Sequence, residues 1–257
     1  MNLFKELYQY RELLKTNIKK EFRGKYKKSS LGVLWSFINP LLQLLVYALV
    51  FPFILRVNVE HYTTFMIVAL IPWNFFATVV GNAAPIIVNN ANIVKKVYFP
   101  RIILPISTVT SGLVNFLISC ILIICALFIS GVGFSIYILY LPLIILIQYL
   151  LTLGISFILS SITVYLRDLE YVINAIMMLW FYLTPVLYDS SLIPTKFQFI
   201  YNLNPMTPII NSYRDILYYH VSPPLMTILI LGIVVVLILI LGYFIFKKCE
   251  KNFAEEI

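Results

Sequence analysis

Six apolar runs, each about the length a bilayer requires, set the frame of this chain. A helix needs about 20 apolar residues to cross the hydrocarbon core. Runs of that size, bounded by charge or by Pro, Gly and Asn clusters, fall at Leu31–Leu55, Thr63–Val88, Ile102–Ser130, Ile136–Leu166, Tyr171–Tyr188 and Leu225–Phe246. The pattern predicts an all-α membrane protein with six transmembrane helices. The first run is too long for a signal-peptide core, and no small-residue cleavage site follows it. No inverted internal repeat is visible.

Two stretches depart from that pattern. Before the first run, Leu3, Phe4, Leu7, Tyr10, Leu14, Ile18 and Phe22 fall within one arc of about 120° on a helical projection, with most of the charge off it. This predicts an amphipathic interfacial helix over residues 1–28, ahead of a bundle at 31–246 and a tail at 247–257. Between the fifth and sixth runs, 189–224 holds Pro194, Pro205, Pro208, Pro223 and Pro224 among many apolar and aromatic residues. Irregular backbone survives at membrane depth only where protein or water satisfies it. The stretch therefore predicts two short re-entrant helices on the outer side, lining an exit path.

Composition agrees with the runs. Of 257 residues, 61% are hydrophobic and 12% charged, whereas a soluble domain is near half apolar and about a quarter charged. The net charge of +8 could suggest nucleic acid, but nine of the 19 Lys and Arg precede residue 30. That placement belongs to a membrane surface. With both termini in the cytoplasm, 16 cations lie inside and three (Arg56, Lys196 and Arg214) outside; the positive-inside bias selects that topology.

Much chemistry is missing. All eleven acids lie outside the spans or at their ends, as do His61 and His220, which argues against proton coupling through this chain. The phosphate-cradling G-x-x-x-x-G-K-[ST] loop is missing; Gly24-Lys25 is followed by Tyr26. Any ATP-driven work must come from a separate subunit. Cys120, Cys125 and Cys249 form neither a disulfide framework nor a metal spacing. Asn39, Asn74, Asn82, Asn115, Ser156, Ser160 and Asn174 read as helix-packing hydrogen bonders, and no nucleophile, base and orienter converge.

The aromatics form the remaining constellation. Tyr47, Phe51, Trp73, Phe75, Phe76, Trp180, Phe181 and Tyr182 lie inside or near broken positions of the runs. Interface belts and packing explain aromatics in such places. They also fit a lining on which the flat C–H faces of sugar rings stack.

Six stretches together resemble one family: FRGKYKKSSLGVLWSFINPLLQLLVYALVF at 22–51, NIVKKVYFPRIILPIS at 92–107, VYLRDLEYV at 164–172, TPVLYDSSLIP at 184–194, YNLNPMTPIINSYRDILY at 201–218 and FAEEI at 253–257. In that order and at those separations they resemble the membrane subunit of bacterial ABC-2 type exporters for lipid-linked polysaccharides, the group of O-antigen, capsule and wall teichoic acid permeases. The resemblance implies a homodimer in the cytoplasmic (inner) membrane, joined to two copies of a nucleotide-binding subunit that holds the ATP and magnesium; this chain itself needs no cofactor and binds no nucleic acid. It implies docking of the ATPase on the interfacial helix and on the Asn89–Arg101 loop, where Asn92, Lys95, Lys96, Tyr98, Pro100 and Arg101 lie, with Arg167 and Asp168 as a secondary contact. The cargo it implies is an undecaprenyl-diphosphate-linked glycan, O-antigen first, with wall teichoic acid or capsule polymer as the runner-up; a small-molecule or drug exporter of the same superfamily and, from another class, a membrane-embedded glycan-modifying enzyme are the competing readings. Arg23, Lys25, Lys27 and Lys28, at the threshold of the first span, are expected to recruit the diphosphate by charge, each contributing about 1 kcal/mol near the membrane surface.

Overall fold

The computed structural model describes residues 8–26, 29–55 and 59–257, so Lys27 and Lys28 lie outside the described residues. Regular structure there is helical throughout: α1 (Arg11–Tyr26), α2 (Trp35–Leu55), α3 (Tyr62–Ala83), α4 (Ile86–Asn89), α5 (Ala91–Lys96), α6 (Ile103–Ile129), α7 (Leu141–Tyr165), α8 (Leu169–Leu183), α9 (Gln198–Leu203), α10 (Met206–Leu217), α11 (Leu225–Cys249) and α12 (Phe253–Glu256). Among the described residues five helical stretches are long and apolar enough to cross a membrane: Gly32–Phe51, Tyr62–Ala83, Ile103–Ile129, Ile136–Tyr165 and Leu225–Cys249.

The remaining two expected boundaries move for one physical reason. The run expected to continue to Val88 stops as α3 at Ala83, because Pro85 brings no amide donor to the next turn, and the chain jogs into α4 and α5. The run Tyr171–Tyr188 yields only the 15 residues of α8, about 22 Å at 1.5 Å per residue. Thr184 turns extended (φ −105°, ψ 140°), as a residue before proline is pushed to do, and Thr184–Tyr188 continues without helix. Hydrophobicity runs on across both prolines, so run length overestimates helix length.

The 189–224 stretch contains two short helices, α9 and α10, as its prolines and apolar residues indicate. The turn after α6 depends on Gly131 and Gly133 at φ +74° and +75°, where a Cβ would be strained.

Helix α3 is the centre. From Thr64 to Trp73 every residue is buried, and α2, α6, α7, α8 and α10 all pack on it. Helices α7 and α11 pack closely: a Cβ on Gly154 would stand 2.9 Å from the Leu239 backbone. At one end, which we call the terminal end, α1 lies against α6, Arg101 meets Glu250 and Arg167 meets Ile257. At the far end the Tyr62 hydroxyl donates to Leu187 O at 2.8 Å, and Tyr218 donates to Glu60 O.

Candidate functional site

At the terminal end, α5 and the segment after it form an exposed projection. Tyr98 is 95% exposed and Val97 56%; Asn92, Lys95 and Lys96 are also exposed, while Phe99 and Ile102 are buried and root the segment. The C-terminal tail holds this projection. Glu250 accepts the Arg101 backbone N–H at 2.9 Å and Lys247 Nζ at 2.9 Å, and the Arg101 guanidinium donates to Glu250 O. Phe253, fully buried, sits edge-on against Phe246 at 5.4 Å between ring centres, and Phe246 packs on Phe157 at 5.6 Å. Arg167 Nη2 donates to Ile257 O at 3.4 Å, so α12 links the projection to the α7–α8 turn. Arg167 and Asp168 are exposed there, and Pro100 is half-buried.

Of the basic stretch, Arg23 is exposed at the end of α1. It borders a cavity of about 890 Å³ that also reaches Lys20, Glu21, Asn82, Asn89 and Asn115. Burial raises the Glu21 carboxyl above the ordinary range. Lys25 lies within α1.

Seven of the eight singled-out aromatics meet in one cluster. Tyr47 stacks on Phe181 at 5.7 Å and touches Phe51 edge-on at 5.8 Å. Trp73 bridges Phe181 (5.8 Å) and Phe76 (5.7 Å); Phe76 meets Trp180 at 5.2 Å, and Phe181 meets Tyr182 at 5.3 Å. Trp73, Phe76 and Phe181 are buried within the chain, whereas Tyr182 is 51% exposed. Trp180 Nε1 donates to Asn204 Oδ1 at 2.8 Å, tying α8 to the α9–α10 junction. Phe75 stands apart, against Phe116 at 5.1 Å.

The polar residues of the spans separate into two kinds. Ser156 and Ser161 donate to carbonyls of their own helix at 2.7 Å. Gln148, fully buried, donates to Pro72 O at 2.7 Å and accepts from the Tyr213 hydroxyl at 2.8 Å, so both ends of its amide are used. Another set borders open space. From Phe65 to Ala83 the positions of α3 that are not buried are Asn74, Ala77, Thr78, Gly81 and Asn82, one helical face by their spacing of three and four. A cavity of about 410 Å³ opens on one side of Thr78, toward Asn39, Gln43 and Asn115; it shares Thr78, Gly112 and Asn115 with the cavity at Arg23. On the other side a cavity of about 340 Å³ reaches Asn174 and Glu170.

At the far end, Arg214 of α10 is 2% exposed. Its guanidinium lies 3.6 Å over the Phe65 ring and donates to Val186 O at 2.8 Å, Tyr188 O at 3.1 Å and Phe65 O at 3.4 Å. Burial pulls its pKa down to about 10, opposed by the nearby Tyr219 and Asp189, so it stays protonated at neutral pH. Tyr219 donates to Asp189 Oδ2 at 2.6 Å. Asp215 is pushed up to about 6 by burial and by Asp189, against the pull of Arg214. These groups border a cavity of about 760 Å³ between α10 and α11. Sequence reasoning placed Arg214 among the outer cations without seeing its burial, and missed the Glu250 tether and the open face of α3. The i, i+4, i+8 recurrence of Asn74, Thr78 and Asn82 was the available signal for the last.

Long apolar helices around a buried central one, with open polar cavities inside the bundle, define a multi-pass α-helical membrane protein. The family model for the ABC-2 type transporter matches residues 12–218. Curated relatives named O-antigen export system permease protein RfbA align with the chain: one from Myxococcus xanthus is 37% identical over 259 residues, all of both chains, and two from Klebsiella pneumoniae are 37% and 38% identical over 95% of this chain and 94% of their own length. The chain belongs to the ABC-2 type transporter family, and it resides in the bacterial inner membrane.

Proposed function

We propose that this chain is the transmembrane subunit of an ATP-driven exporter that moves undecaprenyl-diphosphate-linked O-antigen across the cytoplasmic membrane. The observation that carries the reading is the 37% identity over the whole of both chains to a protein named as an O-antigen export permease.

The proposed mechanism assigns a part to each element. The chain crosses the membrane six times, α8 together with Thr184–Tyr188 making the fifth crossing, with both termini in the cytoplasm and α9–α10 re-entrant from the outer side. Two copies of an ATP-binding subunit dock on α1 and on the exposed Asn92–Arg101 projection, with Arg167 and Asp168 beside it. ATP and magnesium belong to those subunits. Arg23 and Lys25, with Lys27 and Lys28, draw the lipid diphosphate to the mouth of the cavity at the end of α1. A homodimer encloses the path: α2 and α8 flank the open face of α3, and a second copy across a twofold axis closes it. Toward the outer half, Tyr182 and the exposed edges of Tyr47, Phe51 and Trp180 offer stacking faces to sugar rings, while Trp73, Phe76 and Phe181 support them from behind, and Phe75 borders the cavity on the other side of α3.

Deletion of the gene in its own host tests the reading. Surface polysaccharide should disappear and lipid-linked polymer should accumulate inside, with both restored by the intact chain. Unchanged surface polymer in the deletion strain would show that the cargo is something else.

A further inference from the structure

We infer that the cavity between α10 and α11 is a site for a zwitterionic phospholipid with an ethanolamine head, one of its acyl chains lying along α11. The inference is independent of the cargo; the topology proposed above enters only in making this the outer leaflet.

Helix α10 climbs from within the bundle to its far end. Asn204, just before it, accepts from Trp180, which meets Phe76 at 5.2 Å, and Phe76 lies about 21 Å along α3 from Tyr62 at 1.5 Å per residue. At the other end of α10, Arg214 reaches Phe65 O and Tyr218 donates to Glu60 O. Thr207, Asn211 and Asp215, spaced by four, share one face of the helix, and all three border the cavity of about 760 Å³. A hydroxyl, an amide and a carboxylate thus follow one another from deep to shallow, about one turn apart. The facing wall is Thr227, Ile230, Leu231 and Val234 of α11, with Ile230 and Val234 exposed, a surface suited to hydrocarbon.

The deep end of the cavity holds an unmet donor. Thr207 is 3% exposed, and its hydroxyl has no hydrogen-bond partner among the described residues. Ser212, on the same helix, shows the usual alternative by donating to Pro208 O at 2.7 Å. The Tyr201 hydroxyl, near Ser190 and Asn211, is also buried without a well-formed bond. Buried donors left without acceptors are costly, and both of these residues stand on the cavity wall.

Charge selects the head group. At the shallow end Asp189 and Asp215 border the same cavity, and burial together with Asp189 raises the Asp215 carboxyl. The Arg214 guanidinium beside them directs its donors to three carbonyls. An ammonium placed there offsets the repulsion between the carboxylates, and the C-terminal end of α10 favours a cation. One turn deeper, the Asn211 amide and Tyr201 hydroxyl donate to the phosphate, and Thr207 donates to a glycerol ester carbonyl. Ammonium, phosphate, ester and hydrocarbon, read inward from the far end, is the order of an ethanolamine phospholipid in that leaflet. An anionic glycerol head group would instead bring net negative charge to two carboxylates.

The test uses the purified transporter, stripped of lipid in detergent and titrated with dioleoyl phosphatidylethanolamine or dioleoyl phosphatidylglycerol, bound lipid being counted by native mass spectrometry. The ethanolamine lipid should bind roughly tenfold or more tightly, the ratio that one charge-assisted hydrogen bond supplies, and Asp215→Asn should bring the two to about equal affinity. Thr207→Val keeps the shape and removes only the unmet hydroxyl, so it should melt no lower than wild type yet weaken the ethanolamine lipid about threefold or more. Val234→Trp, on the exposed wall, should displace the lipid by filling the cavity. Equal affinities in the wild type, a preference that survives Asp215→Asn, or unchanged binding in Thr207→Val or Val234→Trp would overturn the inference. So would a disulfide between copies through Ile230→Cys, made with Cys120, Cys125 and Cys249 replaced by Ser, which would assign this face to a second copy of the chain. Failure of the export reading shows separately, as surface polymer that persists when the gene is deleted, and leaves these ratios unchanged.

Discussion

Arg214→Leu is the substitution whose cost can be worked most fully from the structure. The side chain holds Val186 O and Tyr188 O at 2.8 and 3.1 Å, reaches Phe65 O at 3.4 Å, and covers the Phe65 ring. Leucine removes the cation, so no buried charge is stranded, but it leaves the carbonyls without their donor. Losing the Val186 bond leaves a buried acceptor unsatisfied at about 1–3 kcal/mol, and losing the part-buried Tyr188 bond costs less; the longer Phe65 contact and the cation–π attraction, about 2 kcal/mol when desolvated, add to this, and the relief of desolvating a guanidinium subtracts. A net loss of about 3 kcal/mol results, or roughly 6–12 °C in melting temperature for a chain of this size. Arg214→Lys should not rescue it, because one ammonium on a flexible stem cannot fork to carbonyls on two segments while stacking on a ring. Thermal unfolding of the purified protein in detergent, followed by size-exclusion retention, reads the shift directly. A melting temperature for Arg214→Leu within about 1 °C of wild type would refute the view that this cation ties α10 to α3 and to the segment after α8.

Three further predictions follow from other contacts. Glu250→Ala should leave insertion and folding nearly intact, since its partners are partly exposed pairs of about 1 kcal/mol or less, yet lower the polymer exported per ATP hydrolysed; an unchanged ratio would deny the tether a role in coupling. Gly154→Leu should collapse expression or melting temperature, because its side chain would start 2.9 Å from the Leu239 backbone, while Gly232→Leu, with nothing within 4 Å of its Cβ, should not; equal effects would place the two helices further apart. Asp215 binds its proton more tightly in the folded protein than in the unfolded chain, so it contributes stability that is lost as pH rises from about 4 to about 6. Asp215→Asn should remove that part of the slope in melting temperature against pH, and an unaltered slope would assign it to another group.

Much of this architecture was legible from the chain alone, and the parts that were not share a cause. Apolar run length locates spans well but is blind to backbone breaks, because Pro85 and Pro185 interrupt the helix without interrupting hydrophobicity. Counting Lys and Arg sorts loops between two sides, yet it treats Arg214 as one cation among three. Its burial depends on carbonyls at 65, 186 and 188, and no local pattern announces those. The aromatic residues were recognisable as a group, and seven of them do meet. Their directions were also available: Trp73 and Phe76 lie on the face of α3 opposite Asn74, Thr78 and Asn82, at 100° per residue. What local reading lacked was which face the rest of the bundle covers.

The break at Pro85 has a mechanical consequence. The exposed projection that carries Tyr98 is joined to α3 through two short helices set off its axis, but it is bolted to α11 through Glu250, Phe253 and Phe246. Thrust applied to that projection is routed around the central helix rather than along it. Helix α7, held close to α11 at Gly154, is itself pinned to α3 where Gln148 donates to Pro72 O, so the tail and the central helix meet again through one shared neighbour.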